Sequence, residues 1–220
     1  RDKHVTGVQT CALPISYHLE IHEFMSTDSG HPDMPSSIER MLRPERVETL
    51  DPFRVLSHCP ATPRDTIADI GCGPGYFTLP LSKFLIHGKV YALDTSDEMI
   101  EACQGRLDTA RMGNVEVLKC EEYGFPVEAA SLDGVFIAFV VHHPEDRVRF
   151  LKAAKEMLMP GGWCYILEWH KKETESGPPQ RARITPEELR QIGADAGFKY
   201  QSHGDINKEN YMMTLINSRV

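Results

Sequence analysis

The chain has 220 residues, 41% hydrophobic and 25% charged, with a formal charge of −8. That is enough apolar material for one globular domain, while the acidic balance argues against non-specific nucleic-acid binding, which needs a basic face. No apolar run approaches the roughly 18 residues of a membrane span, and the six cysteines form no CxxC pair, which fits reduced thiols in a cytoplasmic protein without a zinc or other metal site.

The stretch Val5 to Ile15 reads like the conceptual translation of a sequencing-library adapter, so residues 1–16 are set aside from the fold. From Tyr17 to Pro35 the chain is polar and rich in His, Ser, Asp and Pro, which predicts irregular structure. Ser36 to Leu56 predicts helix in pieces: a capping serine precedes Ile38, Met41 and Leu42, and Pro44 and Pro52 divide the run. Residues 17–60 are therefore expected to form a helical lid ahead of a main domain over 61–220.

Beyond Pro63 strand and helix signals alternate. Thr66 to Ile70 is a short apolar strand, followed by a glycine loop and a helix that opens near Tyr76 and carries Leu79, Leu81 and Phe84. Lys89 to Leu93 is a second strand, and Ser96 caps a helix through Met99, Ile100 and Cys103. Val115 to Leu118 is a third strand; Leu132 to Ala138 is a fourth, apolar almost throughout as a central parallel strand should be. Pro144 stands at the predicted first position of the next helix, on which Phe150, Leu151, Ala154, Met157 and Leu158 recur at helical spacing. Pro160-Gly161-Gly162 is predicted to end it and turn into a fifth strand, Trp163 to Trp169. Thr185-Pro186-Glu187-Glu188 starts a helix with a capping box, Gly197 closes it, and Phe198 to His203 with Tyr211 to Ile216 read as an antiparallel pair.

Such alternation predicts a single α/β domain with a largely parallel sheet. Ligands in such sheets bind beyond the C-terminal strand ends at the topological switch point. That selects Gly71 to Tyr76, Asp94 to Thr95, Cys120 to Tyr123, Ala138 to His143 and Glu168 to Lys171.

Gly71, Gly73 and Gly75 at alternate positions allow a sharp turn and a close approach to a nucleotide-like ligand. Asp94, with Thr95 after it, ends the second strand, where a carboxylate accepts hydrogen bonds from a ribose diol; the alternative is a helix-capping acid. Glu121 and Glu122 follow the third strand, either as acceptors for an adenine amine or as plain surface acids. His143 and His170, each just past a core strand, are candidate general bases, against the simpler readings of a packed and a solvated histidine. Trp169, Tyr76 and Tyr211 are candidates for an aromatic wall, or for ordinary core.

Asp69-Ile70-Gly71-Cys72-Gly73-Pro74-Gly75, Tyr91-Ala92-Leu93-Asp94, Leu132-Asp133, His142-His143 and Leu158-Met159-Pro160-Gly161-Gly162 follow one another as in class I S-adenosylmethionine-dependent methyltransferases. Over roughly residues 36 to 217 the chain resembles that family, and within it the broad branch of ubiquinone/menaquinone-biosynthesis C-methyltransferases. The resemblance implies a Rossmann-like, doubly wound, seven-stranded sheet with a C-terminal antiparallel strand, and S-adenosylmethionine as cosubstrate. It further implies that Asp69 and the backbone at Gly71 and Gly73 hold the methionine moiety and Asp94 the ribose. Ala138 and Phe139 would then flank the transferred methyl. Glu121 stands where the family usually has aspartate, and Cys120 where it often has glycine.

A cofactor-binding protein without transferase activity is the second reading, and a nicotinamide oxidoreductase the third. A dinucleotide fingerprint places its third glycine three residues after the second, whereas Gly75 comes two after Gly73. A carboxylate such as Asp69 repels a pyrophosphate but favours an ammonium and a sulfonium. The acceptor is expected to be a small molecule. Lys171, Lys172, Arg181 and Arg183 keep a protein or RNA acceptor open, although Glu168, Glu173 and Glu175 interleave with them as in a solvated loop.

Overall fold

A computed structural model describes residues 36–174 and 177–218. The adapter-like segment, the irregular stretch before Ser36 and Glu175 lie outside them. Three short helices open the described chain: α1 (Ser36–Leu42), α2 (Glu45–Thr49) and α3 (Pro52–Leu56). Pro52 sits at the start of α3 behind Asp51, whose side chain accepts the Phe53 N–H at 2.8 Å. The division at prolines is thus as expected.

The alternating region follows: β1 (Thr66–Ile70), α4 (Thr78–Phe84), β2 (Lys89–Asp94), α5 (Asp97–Thr109), β3 (Val115–Lys119), β4 (Leu132–Ala138), α6 (Arg147–Glu156) and β5 (Leu158–Trp169). After a 3₁₀ turn come α7 (Pro186–Asp195), β6 (Lys199–Asp205) and β7 (Asn210–Ile216). The seven strands form one sheet in the order β3-β2-β1-β4-β5-β7-β6. β7 runs antiparallel to both neighbours, and the other paired strands run parallel, so the Rossmann-like expectation is met.

Strand alternation divides the core. Ala68, Val135 and Ile137 face α6 and α7 through Phe150, Leu151 and Leu189. Ile67, Phe136 and Tyr165 face α3 and α4 through Val55, Leu56, Leu81 and Leu85. Both faces are covered, which is why β4 reads as a continuous apolar run. The chain passes from β1 to β2 and β3 on one side, and to β4 and β5 on the other. Its switch point therefore lies between the C-terminal ends of β1 and β4.

Three expected boundaries move. The helix after the glycine loop begins at Thr78, not near Tyr76. α6 begins at Arg147: Asp146 caps it by accepting the Arg149 N–H at 2.9 Å, and Pro144 stays in the preceding loop. That helix also ends before Pro160-Gly161-Gly162. Leu158 already pairs with Leu132, and the register slips so that Gly134 meets Trp163. The Pro-Gly-Gly run is a bulge inside β5, held by Gly161 donating to the Asn217 carbonyl at 2.6 Å. Leu158 matches both a helix spacing and a buried strand end, and strand pairing decides between them.

Candidate active site

The turn out of β1 is built on Gly71, at φ +70°, and Gly73, at φ +54°. The N–H groups of Gly71 and Cys72 both donate to the Leu93 carbonyl, at 2.7 and 3.0 Å. Gly73 donates to Asp94 Oδ2 at 2.8 Å, and Ser96 donates to Asp94 Oδ1 at 3.0 Å. One carboxylate therefore clamps the glycine loop to the end of β2. A Cβ on Gly71 would stand 2.3 Å from Val140 Cγ2, so the loop after β4 rests directly on the glycine turn. Gly75 acts differently. A Cβ there would meet Cys103 Sγ at 3.0 Å, and the residue packs the loop on α5 instead of lining the site.

These loops enclose a cavity of about 560 Å³, within the range of small-molecule sites. It brings together Asp69, Gly71, Gly73, Asp94, Thr95, Glu121, Glu122, Ala138, Phe139 and His143 of the expected residues. Asp69 is 2% exposed and accepts a hydrogen bond from Thr78 Oγ1 at 2.7 Å. Burial pushes its carboxyl up to about 7, helped by the nearby Asp94 charge and opposed by the Thr78 hydrogen bond. Phe139 holds a left-handed backbone, φ +61°, which is costly for an aromatic residue and fixes where its ring points. Its ring lies 5.3 Å from that of Trp169, which backs it up without lining the cavity.

The two candidate bases separate here. His143 lines the cavity, and burial lowers its pKa, with His142 adding to the effect and Glu168 opposing it. The ring is thus neutral and able to take a proton at neutral pH. His170 does not line the cavity; its Nε2 is 3.0 Å from Asp205 and its ring leans on Tyr211. Tyr211 itself is wholly buried and donates to the Ile184 carbonyl at 2.9 Å, so of the expected aromatic wall only Tyr76 lines the cavity.

Glu168 corrects the view of a solvated loop. It is 0% exposed and accepts from His142 Nδ1–H at 2.9 Å and from the His142 and Trp169 backbone N–H groups at 3.2 Å. The basic rim is changed in the same way. Lys171 pairs with Glu188 at 2.9 Å, and Arg183 turns inward to the Pro178, His170 and Lys172 carbonyls.

Several lining residues carry no signal in the sequence. Met99, Phe125 and Phe150 make an apolar side, Phe125 and Phe150 meeting edge to face at 5.8 Å. Only Phe125, which lies outside any predicted strand or helix, could have been picked out. Arg46 of α2 also lines the cavity, its guanidinium 4.2 Å from the Tyr76 ring centroid, with Nη1 donating to the Met41 carbonyl at 2.7 Å. The described residues contain no cluster of side chains suited to a metal ion, and no helix long and apolar enough to cross a membrane.

Residues 68–166 match the methyltransferase domain family. A methyltransferase structure from Aquifex aeolicus, described as S-adenosylmethionine-dependent, superposes with a TM-score of 0.79 at 31% identity, covering 83% of this chain and 97% of that one. The demethylmenaquinone methyltransferase of Staphylococcus haemolyticus is 35% identical over 101 residues, which are 46% of this chain and 41% of that protein. The chain thus spans about two fifths of that curated relative. The 4+2 cyclase SpnF shares the fold at 13% identity, with a TM-score of 0.67 over 76% of this chain and 79% of its own. Fold by itself therefore does not settle the reaction.

Proposed function

The chain belongs to the S-adenosylmethionine-dependent methyltransferases, and we propose from that premise that it methylates a small planar acceptor of the quinol or hydroxyaromatic kind. One observation carries the reading: a single cavity joins the clamped glycine loop, Asp69, Asp94 and the Phe139 turn at the switch point. The cosubstrate supplies an activated methyl on a sulfonium, so the protein has to bind, orient and keep water away.

The geometry supports the following residue roles. With the N–H groups of Gly71, Cys72 and Gly73 engaged inside the protein, an ammonium meets the carboxylate of Asp69 and the carbonyl edge of the loop. Asp94 retains acceptor capacity for the ribose hydroxyls. Thr95 lies beside it, and Met99, Phe125 and Phe150 offer an apolar surface for adenine, with Glu121 and Glu122 at its polar edge. Gly75 serves the site indirectly, through loop packing. Ala138 and Phe139 face the methyl. Phe139, Tyr76 and Phe77 present ring surface to a planar acceptor. His143 takes the proton that the acceptor loses as the methyl bonds to it. His170, held by Asp205 outside the cavity, is left without a role in this reading. The demethylmenaquinone methyltransferases among the relatives support a quinol-like acceptor.

Calorimetric titration with S-adenosylmethionine, S-adenosylhomocysteine and NAD tests the cosubstrate. Micromolar binding of the adenosyl ligands without NAD is expected, whereas NAD alone would turn the reading into an oxidoreductase. Incubation with methyl-labelled S-adenosylmethionine and reduced 1,4-naphthoquinone should move label into the organic phase. Tight adenosyl binding with no transfer to any quinol or phenol would sink the acceptor class.

The Asp69 shift adds a pH signature. Ligand cations favour its ionised form, so affinity for S-adenosylmethionine should fall roughly tenfold per pH unit as pH drops below about 7. Asp69→Asn should bind weakly and without that slope. A flat wild-type profile between pH 5.5 and 7 would remove Asp69 from the binding role.

A further inference from the structure

The cavity lining contains four carboxylates, Asp69, Asp94, Glu121 and Glu122, and among its described residues one arginine or lysine, Arg46. That cation comes from the helical segment ahead of the sheet and is largely desolvated; burial lowers its pKa, with the Tyr76 hydroxyl opposing and Arg43 adding to the effect. Among the described residues it has no carboxylate partner. Its hydrogen bond runs from Nη1 to the Met41 carbonyl, and its charge otherwise rests on the Tyr76 ring at 4.2 Å and the Phe139 ring at 5.9 Å. A half-buried guanidinium with that little compensation is costly unless an anion completes it.

Its location narrows the anion. Tyr76 directly follows the glycine loop and donates its hydroxyl to the Leu50 carbonyl at 2.7 Å, which anchors the end of α2 over that loop. Met41, which accepts from Arg46, lies 3.8 Å from where a Cβ on Gly73 would stand. Arg46 is thus held beside the stretch of backbone assigned above to the methionine moiety. An amino-acid zwitterion needs both signs. Asp69 and the loop carbonyls suit its ammonium, and they repel its carboxylate.

We propose that Arg46 binds the carboxylate of the methionine moiety of the cosubstrate, as a charge-assisted, two-pronged contact carried in by the N-terminal helices. This rests on the S-adenosylmethionine reading above. It also gives the N-terminal helices a chemical function: they hold in place the group that tells an intact amino-acid end from shortened adenosyl thioethers.

The test is a two-by-two titration by calorimetry. Wild type and Arg46→Gln are each titrated with S-adenosylhomocysteine and with its decarboxylated analogue, which keeps the amine and lacks the carboxylate. Arg46→Gln should weaken S-adenosylhomocysteine about 10- to 100-fold and leave the analogue's affinity within about twofold, since a charged hydrogen-bond pair is worth that much. Arg46→Lys, which keeps charge without the fork, should recover part of the loss. If Arg46→Gln weakens both ligands equally, the residue is structural and the proposal fails. If it weakens neither, the carboxylate is bound elsewhere and the proposal also fails. Failure of the cosubstrate reading itself looks different, because wild type would then bind neither adenosyl ligand.

Discussion

Asp94→Ala is expected to lower the affinity for S-adenosylhomocysteine by about 10²- to 10⁴-fold while leaving a folded protein. Hydrogen bonds to charged groups contribute about 1.5–3 kcal/mol each, and a ribose diol makes two with one carboxylate. At 1.4 kcal/mol per factor of ten, losing both accounts for the predicted range. The substitution also removes the clamp at 2.8 Å on the Gly73 N–H and the acceptor for Ser96. The loop is then free to fluctuate out of the shape the ligand needs, which adds to the loss. Asp94→Asn keeps one oxygen and should fall between the two. Calorimetry measures the affinity, and a melting curve separates a binding defect from unfolding. Ligand binding by Asp94→Ala within threefold of wild type would place the ribose elsewhere and leave Asp94 as a loop clamp only.

Gly134→Ala should destabilise the fold by about 3 kcal/mol without touching the site, at the upper end of overpacking costs. The reason is the close approach of β5. A Cβ at 134 would stand 2.1, 2.2 and 2.5 Å from three atoms of the Trp163 ring, and Trp163 is only 7% exposed. The ring cannot retreat without pushing into Leu85, Phe136 and the rest of that apolar cluster. For a chain of this length the loss corresponds to a drop in Tm of roughly 6–12 °C. The double variant Gly134→Ala with Trp163→Leu should lose less than the sum of the two single changes, because the smaller side chain removes the clash and the added methyl fills part of the space the ring leaves. An unchanged Tm for Gly134→Ala would mean that the strand spacing adapts more freely than a packed core allows.

Much of this protein is written locally. The glycine loop, the acid at the end of β2 and the capping box at Thr185 each depend on residues a few positions apart. In the folded chain the Thr185 hydroxyl accepts the Glu188 N–H at 3.1 Å, and Glu188 accepts back from Thr185 at 2.8 Å. The order of these motifs along the chain is enough to point to the family. Local expectation fails where two local rules compete. Pro144 suits the first turn of a helix, but Asp146 offers a better cap. Leu158 continues a helical spacing, but its partner Leu132 draws it into the sheet.

The side chains whose role depends on partners far along the chain are a different matter. Glu168 looks like one of several acids in a polar loop, yet it is buried because His142, 26 residues earlier, returns to it from the end of β4. His143 and His170 follow core strands in the same way, but β4 borders the switch point and β5 lies one strand further out, so only the first lines the cavity. Arg46 sits on a helix of five residues, too short for any periodic signal. What makes it notable is the Tyr76 ring beneath it and the four carboxylates that line the same cavity, none of them its neighbours in sequence. The sequence alone therefore determined the elements, the glycine loop and the family, because backbone conformation and hydrophobic period are decided within a few residues. Tertiary structure alone decided which charges face one another across the cavity, because that depends on how distant strand ends converge and on which groups lose their water when they do.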